Sequence, residues 1–291
     1  MSRAGAQALV EVRVEFARDQ ADMAEYAIGE FSPGGFVEGD TGRDDVVTYS
    51  VFLPVGEEAR LTSWLAQAGV EPLGEPMTAI VPAGWDERWK EFHQAIVIGG
   101  LWVGPPWQLD AKPAGLKPIV IEPAQGFGTG AHPTTRLVLA LLQDQPRSSV
   151  LDLGCGSGVL AVAAALLGFG PVTAIDNDPV AVESTHDNLQ RNDVDGLVRA
   201  HVLDALQQDI PRADLVLANV LLEPLVRIAP KMTAPRLILS GLLASQADEC
   251  AAAYEAAGYV VRERRDRDGW AALVLDNANE HAAVMTNKSL W

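Results

Sequence analysis

The chain has 291 residues, of which 48% are apolar, and it carries a formal net charge of -17 at pH 7. This composition excludes a disordered chain, and the length provides for one large domain or two ordinary ones. No run of about 18 apolar residues, secretory signal or disulfide framework is recognisable, so we expect a cytoplasmic protein without a membrane span.

The first predicted elements form a small α+β domain over residues 1–83. Apolar residues at alternate positions from Val10 to Phe16 predict a half-buried strand. The patterns that follow predict a helix at 20–31, strands at 36–38 and 47–53, a helix at 61–68 and an extended segment at 77–81. The order β-α-β-β-α-β is that of a ferredoxin-like domain.

The N-terminal domain is also markedly acidic. Residues 1–83 hold 14 acidic and 5 basic side chains. Such a surface repels phosphate backbones and attracts basic partners, although solubility alone also accounts for it. RNA-recognition modules share this element order, but the aromatic and basic motif on which they stack bases is missing here. We therefore predict a protein-recognition domain.

Residues 84–124 are predicted to be a tryptophan-rich linker between two domains. Trp85, Trp89 and Phe92 lie at helical spacing, which indicates packing rather than a binding site. Pro105–Pro106 and Lys112–Gly115 are typical of exposed loops.

Residues 125–276 alternate between predicted strands and helices, which is typical of an α/β domain with a mostly parallel sheet. The predicted strands lie at 150–153, 172–175, 198–203, 215–218, 237–239, 260–263 and 271–275. The last two are close enough in sequence to pair antiparallel across Gly269. Residues 277–291 form a polar tail without a periodic pattern.

A glycine-rich turn follows the first of these strands at Gly154, Gly156 and Gly158. A turn without Cβ atoms lets backbone N–H groups approach a nucleotide at the N-terminus of the next helix. The dinucleotide pattern would need glycine where Val159 stands, which argues against a nicotinamide dehydrogenase. The observed spacing is familiar from methyltransferases that use S-adenosylmethionine (SAM). Asp176, at the end of the second strand, is placed to accept hydrogen bonds from both ribose hydroxyls.

A second glycine-rich motif, GFGTGAHPTT, occupies residues 126–135. It is not a Walker loop, because no Gly-Lys-Ser/Thr follows at the required distance. It can simply begin a helix, with Pro133 in the first turn, or it can close over a charged cofactor. Asp152, in the strand before the glycine turn, is expected to support that turn from beneath.

Several longer segments are specific enough to compare with a known family. They are WDERWKEFH at 85–93, GFGTGAHPTT at 126–135, VLDLGCGSGVLAVAA at 150–164, IDNDPVAVE at 175–183, ANVLLEPL at 218–225 and LILSGLLASQ at 237–246. Together they resemble the bacterial ribosomal protein L11 methyltransferase family (PrmA), over about residues 85–276. The turn at Thr233–Arg236 departs from the Pro-Gly-Gly usual in that family, and we expect little effect on the chemistry.

The resemblance implies a Rossmann-like class I methyltransferase domain, with a seven-stranded sheet, and a smaller ferredoxin-like domain that holds the substrate. It implies SAM as the cofactor and methyl transfer to lysine side chains and the N-terminal α-amine of ribosomal protein L11. The cofactor residues predicted from the resemblance and the glycine motifs are Thr135, Gly154, Gly156, Asp176, Asn219 and Phe127. No metal is expected, because the histidines show no metal-ligand spacing.

Asn219 is the predicted catalytic residue. A lysine with a pKa near ~10.4 is neutral in about one molecule in 10³ at pH 7, so a site for amine methylation must favour the neutral amine. At the end of the fourth strand, the Asn219 carbonyl can accept N–H bonds from the amine and aim its lone pair. The competing role for Asn219 is a cap on the following helix.

Other functions stay open at the level of sequence. The substrate can be another basic protein, or the chain can be a non-catalytic binding protein associated with the ribosome. A nucleic-acid amino-methyltransferase would carry Pro-Pro and an aromatic residue after Asn219, where Val220 and Leu221 stand instead. We expect a monomer without direct nucleic-acid or membrane binding.

Overall fold

The computed structural model describes residues 9–32, 36–39, 43, 45–81, 94–122 and 132–278. These residues fall into two compact units, one up to Gln94 and one from Ala95 onward. Within the described ranges, no helix has both the length and the hydropathy that a membrane span requires.

The first unit is a four-stranded antiparallel sheet with two helices. Its elements are β1 (Leu9–Ala17), α1 (Ala21–Phe31), β2 (Phe36–Gly39), β3 (Val46–Pro54), α2 (Glu58–Gln67) and β4 (Met77–Ile80). The strands lie in the order β2-β3-β1-β4. This order and connectivity are those of the split β-α-β-β-α-β unit.

Alternating side chains of β1 divide this sheet into two faces. Val12 and Phe16 are fully buried and pack in one apolar cluster with residues of α1 and α2. Glu11, the residue before Val12, points to the other face and accepts a hydrogen bond of 2.7 Å from the Ser50 hydroxyl. The two-residue period of a strand therefore places the helices on the apolar face.

The second unit begins with a small sheet inside the segment that the sequence presents as a linker. Strands β5 (Ile96–Ile98), β6 (Leu101–Gly104) and β7 (Lys117–Val120) pair in that order. The many glycines and prolines around them give residues 84–124 their linker-like pattern. Val103 and Ile119 are nevertheless fully buried, so residues 95–122 belong to a core. The helix face predicted at Trp85, Trp89 and Phe92 lies outside the described residues.

The rest of the second unit is a seven-stranded sheet with flanking helices, as predicted. Its elements are α3 (Pro133–Gln143), β8 (Val150–Leu153), α4 (Val159–Leu166), β9 (Val172–Asp176), α5 (Pro179–Arg191), β10 (Val198–Val202), β11 (Leu215–Asn219), α6 (Leu222–Ile228), β12 (Arg236–Leu243), α7 (Ala247–Ala256), β13 (Tyr259–Arg267) and β14 (Trp270–Asn277). The strand order is β10-β9-β8-β11-β12-β14-β13. Every adjacent pair is parallel except those of β14, which runs antiparallel to both neighbours. The predicted α/β class and the antiparallel last pair are confirmed.

The strand order creates a switch point at the centre of the sheet. From β8 the chain moves outward through β9 to β10, then returns to β11 on the other side of β8. In open α/β sheets, ligands bind beyond the carboxyl ends of the strands at such a point. The last residues of β8, β9 and β11 therefore define where a ligand site is expected.

A buried carboxylate holds the far edge of this sheet together. Asp276 of β14 accepts hydrogen bonds from Arg236 Nε at 2.7 Å and from Arg262 Nε at 3.1 Å. Burial alone raises the pKa of Asp276, but the two guanidinium groups outweigh burial and hold that pKa below its ordinary value. The ion pairs thus join β12, β13 and β14.

Candidate functional site

The glycine turn lies directly after β8 and needs its glycines. Gly154, Gly156 and Gly158 have φ values of +72°, +53° and +78°, a region that other residues rarely adopt. A Cβ on Gly154 would overlap the Val220 side chain, and one on Gly158 would lie 2.8 Å from a Thr185 methyl carbon. At Gly154 and Gly158, both the dihedral angles and the neighbouring side chains therefore exclude any residue with a Cβ atom.

Asp176 is hydrogen-bonded to this turn and to the residue two positions after it. Its Oδ2 accepts the Gly156 N–H at 3.0 Å, and its Oδ1 accepts the Asp178 N–H at 3.0 Å. Burial raises the pKa of Asp176, while these backbone donors act in the opposite direction. Each carboxylate oxygen has a second lone pair with which it can accept a hydroxyl. Asp178 in turn caps α5, accepting the Val180 N–H at 2.8 Å.

Asn219 ends β11 beside the switch point and is buried. Its Nδ2 donates to the Thr135 hydroxyl at 3.3 Å, which brings together two of the predicted site residues. Its Oδ1 is also buried and has no hydrogen-bond partner among the described residues. The competing capping role is not observed, because α6 has Leu221 as its N-cap and no side-chain cap bond. A buried carbonyl acceptor without a partner is costly, so this geometry points to a ligand donor.

The start of α3 places Thr135. His132 is the N-cap of α3, and its Nδ1 accepts the Thr134 N–H at 3.3 Å. Its ring packs edge-on against Trp270 with the ring centroids 4.7 Å apart. Burial lowers the pKa of His132 to about 4, so the ring is neutral at pH 7 and can serve as the acceptor. The helix entry predicted at Pro133 is confirmed, whereas Phe127 and the preceding glycines lie outside the described residues.

Asp152 lies beneath the glycine turn in β8. The residue is fully buried, and its Oδ2 accepts the Ala161 N–H of α4 at 3.0 Å. Burial raises the pKa of Asp152 to about 7, and the nearby Asp176 carboxylate acts in the same direction. Asp152 thus holds the start of α4 against the sheet, whereas the sequence predicts support of the glycine turn itself.

Comparison with known proteins identifies the family of this fold and site. A sequence model described as ribosomal protein L11 methyltransferase (PrmA) matches residues 57–278. The chain belongs to this family. The match includes the whole seven-stranded sheet with the glycine turn, Asp176 and Asn219, and it begins within the first unit.

Individual relatives of the PrmA family agree with this assignment. A ribosomal protein L11 methyltransferase from Myxococcus xanthus is 40% identical over 199 residues, which are 66% of this chain and 68% of the relative. The corresponding protein from Chromohalobacter salexigens is 39% identical over 227 residues, 75% of each chain. The crystal structure of a ribosomal protein L11 methylase from Lactobacillus delbrueckii subsp. bulgaricus aligns with a TM-score of 0.55 at 25% identity, covering 63% of this chain and 98% of that one.

Two other residues that could react or bind a ligand in this PrmA-family chain are Asp204, after β10, and Cys155, in the glycine turn. Asp204 accepts the Leu206 N–H at 2.8 Å and the Gln207 side-chain amide at 2.6 Å, so both its oxygens hold its own turn. Burial raises the pKa of Cys155 well above that of a reactive thiol. Across the ranges that the structure describes, no cluster of three or more potential metal ligands occurs.

Sequence reasoning missed two residues that hold the glycine turn. The Thr185 hydroxyl of α5 donates to the Gly156 carbonyl at 2.9 Å, and Asn188 Nδ2 donates to the Ser157 carbonyl at 3.0 Å. The signal for them is a polar pair at i and i+3 on the otherwise apolar face of an amphipathic helix.

Proposed function

We propose that this chain transfers methyl groups from SAM to amines of ribosomal protein L11, both lysine side chains and the N-terminal α-amine. The family model that matches residues 57–278, a range that includes the glycine turn, Asp176 and Asn219, and relatives 40% and 39% identical bear the name ribosomal protein L11 methyltransferase. The observation that carries the proposal is the buried Asn219 Oδ1, an acceptor without a partner among the described residues at the carboxyl end of β11.

The residues around the glycine turn have the chemistry that binding of SAM requires. Gly154 and Gly156 allow close backbone approach at the N-terminal side of α4, and Asp176 keeps acceptor capacity for two ribose hydroxyls. Thr135 lies beside Asn219 on the same side of the switch point. Bound SAM supplies an electrophilic methyl group on a positively charged sulfur.

Asn219 then positions the nucleophile. Because its Nδ2 donates to Thr135, the amide is fixed with Oδ1 turned to the other side, where it accepts an N–H of the incoming amine. That hydrogen bond aims the amine lone pair, and the buried surroundings favour the neutral amine over the ammonium form. The remaining rate enhancement comes from holding the nucleophile in line with the methyl group.

The two units divide the work. We propose residues 1–83 as the substrate-recognition domain, residues 84–124 as the connecting segment, of which 95–122 belong to the second compact unit, and residues 125–276 as the methyltransferase domain. The 14 acidic side chains among residues 1–83, against 5 basic ones, attract a basic ribosomal protein and steer its approach. We further propose a cytoplasmic monomer that does not itself bind nucleic acid.

The test is transfer of labelled methyl groups from SAM to purified ribosomal protein L11, with ribosomal RNA and another basic ribosomal protein as parallel acceptors. We expect label on L11 alone. At saturating SAM, the Asn219→Ala variant should lose at least about 100-fold in turnover, because the amine is no longer aimed. Label on neither protein despite cofactor binding would refute the substrate, and full turnover by Asn219→Ala would refute the mechanism.

A further inference from the structure

The buried face of α5 carries polar side chains that bind backbone groups of two other segments. Thr185 and Asn188 are 0% and 1% exposed, and each donates to a carbonyl of the glycine turn, at Gly156 and Ser157 respectively. Neither is needed to cap or extend α5, whose N-cap is Asp178. Their role is therefore tertiary.

Asn188 reaches a second segment with its other amide atom. Its Oδ1 accepts the backbone N–H of Glu122 at 3.0 Å, just after β7 ends. Arg191 donates to the same oxygen at 3.0 Å and also forms an ion pair with the Glu122 carboxylate. One side chain thus joins the glycine turn to the strand exit that leads toward the 126–135 motif.

The hydrogen bond from Asn188 to the Ser157 carbonyl fixes the orientation of the whole peptide unit between Ser157 and Gly158. In a trans peptide the N–H points opposite to the C=O, so holding the Ser157 carbonyl on α5 directs the Gly158 N–H away from α5. That N–H donates to the Cys155 carbonyl at 2.7 Å, which closes the turn. Because the glycines have positive φ and wide conformational freedom, such external bonds set the shape of the turn.

We infer that Asn188 is a positioning residue for the cofactor: its amide holds the glycine turn and the β7 exit in one geometry. This role rests on the proposed SAM dependence. Asn188 contacts the peptide bonds that would approach the cofactor and acts through them.

Asn192 provides a matched control. It is the C-cap residue directly after α5, and its side-chain amide pairs with Val120 of β7, accepting the N–H at 2.8 Å and donating to the carbonyl at 2.6 Å. A second asparagine at the end of α5 thus contacts β7, and none of its side-chain hydrogen bonds within the described ranges reaches the glycine turn.

The experiment compares Asn188→Asp with Asn192→Asp. Both variants keep a side-chain oxygen for the backbone N–H that it accepts, from Glu122 and Val120 respectively, and both lose an amide donor. Only the first sets a carboxylate oxygen against the Ser157 carbonyl. We expect the SAM Kd of Asn188→Asp, measured by calorimetry on the full chain, to rise about tenfold, equivalent to about 1.4 kcal/mol. Asn192→Asp should stay within about twofold of the wild type. At saturating SAM, the kcat of Asn188→Asp should also stay within about twofold, because the reacting groups are untouched.

Equal Kd changes in the two variants, or an unchanged Kd in Asn188→Asp, would overturn this role. If Asn188→Asp does not fold, Asn188→Ala removes the same amide without adding a charge. A SAM Kd of that variant equal to that of the wild type would then count against the inference. A wild-type chain that fails to bind SAM would instead refute the proposed function itself, which separates the two results.

Discussion

The buried Asp152 should make the free energy of unfolding depend on pH. Its Oδ2 accepts one backbone N–H, and its Oδ1 has no hydrogen-bond partner in the part of the chain that the structure describes. Burial places its pKa at about 7, against an ordinary value of 3.8. A difference of about three pKa units is worth about 4 kcal/mol.

The proton on Asp152 stabilises the folded chain relative to the unfolded chain. Between about pH 4 and pH 7 the folded chain keeps the Asp152 proton that the unfolded chain has lost. The stability associated with this proton is complete below about pH 4 and disappears as the pH rises through about 7. At pH 8 the folded chain therefore carries a buried, ionised carboxylate that destabilises it.

Asp152→Asn removes this cost and keeps the acceptor for the Ala161 N–H. We expect the variant to unfold in urea with a free energy about 2–4 kcal/mol higher than the wild type at pH 8, a difference that shrinks to about 1–2 kcal/mol at pH 5 and disappears below about pH 4. Asp187→Asn, at an exposed position of α5, controls for the loss of a carboxyl group. A difference between Asp152→Asn and the wild type that is constant from pH 5 to pH 8 would refute the reasoning.

Three further outcomes are expected. Asp276→Asn removes the carboxylate that pairs with two arginines. The free energy of unfolding should fall by about 2–3 kcal/mol and Tm by about 5–10 °C in a thermal melt. A shift in Tm below about 1 °C would contradict this. Gly154→Ala should abolish SAM binding in calorimetry because a Cβ there meets Val220, whereas Gly168→Ala, also at positive φ but without a neighbour within 4 Å, should bind normally. His132→Asn keeps a capping acceptor but cannot titrate. The unfolded histidine takes up a proton that the buried one resists. In urea unfolding between pH 6.5 and pH 4, the free energy of the wild type should therefore fall by about 3 kcal/mol relative to that of the variant, which shares every other titrating group.

Much of the fold is readable from local pattern. The alternation from Val10 to Phe16 gives β1, and short apolar segments bounded by glycine and aspartate give the central strands. The glycine turn and Asp176 are predictable together because a fixed spacing puts both at the carboxyl ends of adjacent strands, and the structure joins them by the Gly156 N–H.

What the sequence does not reveal depends on contacts between distant segments. Residues 95–122 look like a linker because their strands are only three or four residues long, and they pack against α3 and α4, which come later in the chain. Asn188 is one polar residue among several in α5, and only the fold shows that it faces the glycine turn. The orientation of the Asn219 amide is likewise set by Thr135, which is 84 positions away.

The place of β14 has a consequence for how the chain is made. β14 is the last strand of the sheet to be synthesised, but it lies between β12 and β13. Until Trp270–Asn277 emerges from the ribosome, β12 presents an open edge of apolar residues. A nascent chain stalled in the β13–β14 hairpin would already have its glycine turn and Asn219, yet it would expose a template for aggregation. Chaperone capture during translation is therefore expected to peak shortly before the hairpin is complete.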